Sequence, residues 1–84
     1  MLSKSRKKID KLDLELQKLF AKRLELVKDI KEYKRKNNIS VFDMDREKNL
    51  KKSLYLSYPN KDELKYYQKF LDNILQISKE YQND

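Results

Sequence analysis

The stretch LSKSRKKIDKLDLELQKLFAKRLELVKDIKEYKRK, residues 2–36, decides the fold. At helical spacing, Ile9, Leu12, Leu16, Leu19, Leu26, Ile30 and Tyr33 fall at alternating steps of three and four. The pattern predicts one long amphipathic helix. It is interrupted once: between Leu19 and Leu26, where another Leu belongs, stands Arg23. Alone, this Arg has two readings. Either it snorkels or pairs with a carboxylate, or the seam is built to hold an anion there.

Helix length sets the next constraint. At 84 residues the chain is one small all-α domain. A compact globule of this size has a radius of gyration of roughly 12 Å. A helix of roughly 45 Å cannot bury its stripe inside such a monomer. A dimer or larger assembly is therefore expected.

With no Gly and one Pro, the composition favours helices. The absence of Cys excludes disulfides and thiolate chemistry, and the further absence of His removes the usual transition-metal ligands. Neither a metal nor another cofactor is expected. No apolar run approaches the roughly 18 residues of a membrane span, and no signal-like start is present. A cytoplasmic protein with no membrane partner is the expectation. The net charge of +7 fits an acidic partner, but the Lys residues are dispersed along the polar faces of the helices. Nucleic acid is not the expected partner; a small anionic substrate would use the same field.

Ser3 or Ser5 would cap the first helix, which runs to about Lys36 and stops at Asn37-Asn38. Residues Ile39 to Phe42 read as a short extended connector. Asp43 can cap a second helix, with Asp45 and Glu47 at its positive end, Leu50 and Leu54 turned inward, and an end near Ser57. Pro59 breaks the pattern. Asn60 followed by Glu63 is a capping-box variant that opens a third helix to about Tyr81. Its stripe is Leu64, Tyr67, Leu71 and Ile74, with Phe70 and Leu75 beside it. The expected architecture is long, short and medium helices.

Extending the stripes reaches polar residues. The third continues to Ser78, with Gln82 one turn on, and the second reaches back to Glu47. On the first, Arg23 and Lys34 share a face about 16 Å apart, close enough for a small dianion between them to touch both. Each has a structural reading too. Glu47 can serve the helix dipole, Ser78 can bond back to its own helix, and Gln82 can be a frayed end. Their joint occurrence is harder to explain structurally, because burying an unpaired charge costs several kcal/mol. Arg usage adds weight: Arg6, Arg23, Arg35 and Arg46 are the only four Arg among 21 basic residues, and Arg offers the planar fork that carboxylates prefer. Arg6 lies roughly 25 Å before Arg23 on the same helix. In an antiparallel dimer it could reach the Arg23 region of the partner.

These residues carry a resemblance. From about Leu2 to Gln82 the chain resembles the all-helical chorismate mutases, the AroQ class. The matching pieces are Arg6-x-x-Ile9-Asp10-x-x-Asp13, Leu19-x-x-x-Arg23 and Ile30-x-x-x-Lys34, followed by Val41-x-Asp43-x-x-Arg46-Glu47 and Ser78-x-x-x-Gln82. Single pieces occur by chance; all of them in order make the signal.

The resemblance implies an intertwined homodimer of three-helix chains that rearranges chorismate to prephenate in phenylalanine and tyrosine biosynthesis. It implies that Arg6 is donated to the partner subunit's site and that Arg23 binds a carboxylate in its own. Lys34 matches the cation at the ether oxygen and ring hydroxyl, and Gln82 the second donor to that oxygen. Glu47 matches the hydroxyl acceptor, Asp43 a loop residue contacting substrate through its backbone, and Ser78 a carboxylate contact. Arg46 matches a position further from the substrate, and Arg35 matches nothing functional. Alternatives remain at this level: an isochorismate pyruvate lyase of the same fold, a non-catalytic regulatory domain, or a basic nucleic-acid binder.

Overall fold

A computed structural model describes residues 1–84 as three helices: α1 (Leu2–Lys36), α2 (Met44–Ser57) and α3 (Leu64–Asn83). No strand is present, and no helix is long and apolar enough to cross a membrane. The radius of gyration is 15.8 Å and the extents are 54 × 26 × 16 Å. The radius and the longest extent exceed those of a compact globule of this length, because α1 alone spans about 50 Å.

The ends of α1 have different origins. The expected serine caps do not form. Met1 is the cap residue, without a side-chain bond, and its carbonyl accepts from the Ser5 N–H at 3.1 Å. With Leu2 already helical, Ser3 and Ser5 lie inside the helix. The C-terminus stops at the Asn pair as expected. Asn38 adopts φ 54, the left-handed conformation that Asn tolerates best after Gly. The Ile39 N–H then reaches the Lys34 carbonyl at 2.9 Å and the Asn38 N–H reaches that of Arg35 at 3.4 Å. This is the Schellman pattern, and it turns the chain back beside α1.

The start of α2 follows its sequence: Asp43 Oδ1 accepts from the Arg46 N–H at 3.0 Å. Its end is set by Pro59, which disfavours the helical conformation at Tyr58 (φ −67, ψ 123). No basic residue stands in the last turn of α2. Lys61, beyond the turn, takes that part and donates to the carbonyls of Tyr55, Leu56 and Tyr58 at 3.1, 3.2 and 2.9 Å.

The capping box of α3 forms only by half. Asn60 Oδ1 accepts from the Asp62 N–H at 3.0 Å. Glu63 does not reach back to Asn60; its carboxylate accepts from the Tyr58 hydroxyl at 2.8 Å. A tight turn therefore precedes the regular helix, which begins at Leu64 and runs to Asn83, two residues past expectation.

The core is small, and α3 is its centre, packing on α1 and on α2. The buried residues are Val27, Leu71, Leu75 and Ser78. Leu24, Leu50, Leu54, Leu64, Tyr67 and Ile74 are half-buried around them. Tyr67 stacks on Tyr58 with ring centroids 4.8 Å apart. Phe70, expected beside the inward stripe, faces outward and is 49% exposed. The face of α1 used within the chain is rotated away from the leucine seam. It centres on Val27, and the seam from Ile9 to Tyr33 stays uncovered except at Arg23.

Candidate active site

The cavity of interest lies where α1, α2, α3 and the α1–α2 connector converge. It measures about 310 Å³, at the lower end of the range typical of small-molecule sites. Its polar lining comes from all four segments: Arg23 and Lys34 from α1, Asp43 from the connector, Arg46 and Glu47 from α2, and Ser78, Lys79 and Gln82 from α3. Val27, Ile30, Val41, Phe42, Leu50 and Leu75 supply the apolar wall.

Arg23 donates to the Ser78 hydroxyl, which in turn donates to the Ile74 carbonyl at 3.1 Å. The chain's ion pairs are Lys51–Glu47, Lys51–Asp72 and Lys79–Glu47, so no carboxylate pairs with Arg23. Desolvation, and after it the like charge of Arg46, lower the Arg23 pKa from its ordinary value. A guanidinium held this way gains from the arrival of an anion.

Lys34 also lacks a carboxylate partner. Its ammonium donates to the Val41 carbonyl at 2.8 Å, which ties the connector to α1 and fixes where the charge sits. Glu47 Oε1 and Oε2 each lie 3.4 Å from the Lys79 ammonium, and Oε1 lies 3.6 Å from that of Lys51. Lys51 is anchored to Asp72 on α3 at 3.1 Å, and that hydrogen bond raises its pKa. Gln82 Nε2 donates to the Ser78 carbonyl at 3.2 Å, while its buried Oε1 has no partner. The C-terminal turn that carries Gln82 is clasped to α1 by the Lys31 ammonium, 5.0 Å from the centre of the Tyr81 ring.

The structure thus brings Arg23, Lys34, Asp43, Arg46, Glu47, Ser78 and Gln82 together around one cavity. Arg46, expected further from a ligand, lines it directly. Arg6 does not; it lies on the N-terminal part of α1, where residues 1–22 are all exposed. Sequence reasoning missed Lys79. It follows Ser78 directly, but nothing distinguishes it from the other lysines until α2 and α3 are packed. No group of three or more His, Cys, Asp or Glu side chains is placed to hold a metal ion.

Such an arrangement can bind and polarise a small polyanion. Cations without carboxylate partners stand on one helix, Glu47 and the Lys79 ammonium line the same cavity, and apolar side chains supply the rest of its wall. Comparison with known proteins gives one match: the family model described as chorismate mutase type II, over residues 5–83. Neither the curated proteins nor the solved structures yield a match to the chain. The match covers nearly the whole sequence, and the chain belongs to the chorismate mutase type II family.

Proposed function

We propose that this member of the family is a chorismate mutase, an isomerase that converts chorismate to prephenate, acting as a single-domain chain in a homodimer. The observation that carries the reading is the pair of cations without carboxylate partners, Arg23 and Lys34, on one wall of a cavity that Glu47, Ser78 and Gln82 complete. The substrate is a dianion with an ether oxygen and a ring hydroxyl, and the charges of the cavity suit it.

The rearrangement is unimolecular and needs no nucleophile. Two requirements remain for the protein. The enolpyruvyl arm must be folded over the ring, and cations gripping the two carboxylates hold it there. Arg23, with Ser78 beside it, binds one carboxylate; Arg6 of the partner subunit binds the other. Asp43 contacts the substrate from the connector, and Arg46 adds positive charge at the wall. As the C–O bond breaks, negative charge grows on the ether oxygen. Lys34 and Gln82 donate to that oxygen, and Glu47 accepts from the ring hydroxyl. The Gln82 amide has one N–H engaged by the Ser78 carbonyl. Its second N–H supplies the donor.

The homodimer rests on the uncovered seam. Leu12, Leu16, Leu19 and Leu26 are each about half exposed or more in the single chain, and a contiguous apolar stripe of this length marks an interface. Crossing of the two long helices would cover it and carry Arg6 to the partner. We place the reaction in phenylalanine and tyrosine biosynthesis, in the cytoplasm.

The test is an assay of prephenate formation from chorismate by the purified chain, run beside isochorismate. Prephenate formed in preference to any lyase product is the expected result. Pyruvate release from isochorismate with no prephenate would overturn the assignment in favour of a lyase.

A further inference from the structure

Lys79 is the one cation of the cavity that the residue pattern of the resemblance does not include. Its ammonium is equidistant from both oxygens of Glu47, at 3.4 Å, and sits 5.2 Å from the centre of the Phe42 ring. Phe42 belongs to the connector, Glu47 to α2 and Lys79 to α3. One side chain therefore joins three of the four segments that form the cavity. The Lys79 side chain is 30% exposed and that of Glu47 19%, so the pair is partly withdrawn from solvent and less screened than a surface contact.

Lys51 approaches Oε1 from within α2, Lys79 approaches both oxygens from α3, and the two ammonium groups leave part of the carboxylate's acceptor capacity free. A carboxylate that must accept a substrate hydroxyl has to be correctly turned, and Lys79 contacts both of its oxygens.

We propose that Lys79 is a positioning residue for Glu47: its ammonium holds the carboxylate oriented toward the cavity. It also adds a positive charge to the cavity that a dianionic substrate meets. The inference deepens the functional reading above and rests on it for its kinetic part. Loss of the ammonium lets Glu47 turn and frees Phe42, which lines the same cavity.

Charged side chains line the cavities that Glu47 borders: Arg46, Lys48 and Lys51 on α2, Lys79 on α3, Asp43 in the connector, and Arg23 and Lys34 on α1. Only Lys51 and Lys79 make ion pairs with Glu47. Removing Lys79 therefore takes away the one ion pair that ties Glu47 to α3.

The experiment compares wild type, Lys79→Met and Lys79→Arg by kcat and KM at neutral pH, and by crystal structures that show where the Glu47 carboxylate points. In Lys79→Met, kcat/KM should fall about tenfold, with the Glu47 carboxylate turned away from its wild-type position. Lys79→Arg should restore most of the activity and the wild-type orientation. An unmoved Glu47 carboxylate in Lys79→Met, or an equal loss in Lys79→Arg, would overturn the inference. If wild type does not turn over chorismate, the functional reading fails, and the position of the Glu47 carboxylate in Lys79→Met then decides by itself whether Lys79 holds it.

Discussion

Arg23 on α1 and Ser78 on α3, 55 residues apart in the chain, are joined by a hydrogen bond in which the guanidinium donates and the hydroxyl accepts. The partner of this seam arginine is thus a neutral group. Ser78 orients the guanidinium without neutralising it, and its charge stays available to a ligand. In an otherwise apolar seam, this arrangement supports the proposal that Arg23 binds an anion.

The donor to the ether oxygen should dominate turnover. Lys34→Ala removes an ammonium fixed by the Val41 carbonyl. Its loss should lower kcat by about 10²–10³, or about 3–4 kcal/mol of transition-state stabilisation. Arg35→Ala, one residue on and exposed, should be nearly silent. Steady-state kinetics on the two variants checks the assignment, and equal activities would remove Lys34 from the reaction.

Each site should contain residues of two chains. Arg6→Ala and Arg23→Ala subunits are each expected to be impaired as homodimers. Mixed, they place both changes in one site and leave the other intact. Activity should therefore return as subunits exchange, toward about a quarter of wild type at full statistical exchange. No return in a mixture whose exchange is verified by mass spectrometry would argue against the shared site.

The leucine seam should hold the dimer. Leu16→Lys inserts a charge into a stripe that α1 leaves uncovered within its own chain. The variant should sediment as a monomer at concentrations where wild type is dimeric. Its melting temperature should fall below that of wild type, whose own value should rise with protein concentration. A Leu16→Lys chain that stays dimeric and active would place the interface elsewhere.

Lys61 should contribute to stability and not to catalysis. It closes three carbonyls at the end of α2, but it is exposed, so the net effect is modest. Lys61→Ala should cost about 1 kcal/mol, a drop of about 4–8 °C in a domain of this size. Thermal unfolding by circular dichroism measures it, and KM should not move.

The helices and their order were legible because their signals are local. The steps of three and four, the Asp43 cap, the Asn37-Asn38 stop and the Pro59 break each act within a turn or two of backbone. The errors were local as well. Met1 supplies the first acceptor of α1, leaving Ser3 and Ser5 without a capping role, and Glu63 turns to Tyr58 instead of completing the capping box.

Much of the candidate site was legible for a related reason. A polar residue on an apolar stripe is conspicuous at helical spacing, and Arg23, Glu47 and Ser78 were found that way. What sequence determined here is a set of three helices, each with its polar interruptions on a definite face. Tertiary structure decided which faces meet. It turned Val27 and not Leu26 toward α3, brought Arg46 to the cavity wall, and set Lys79 against Glu47 across 32 residues of sequence. Helical spacing specifies angles about one axis. The pairing of Lys79 with Glu47 depends on how two axes lie together, and that comes from side-chain packing between segments distant in the chain.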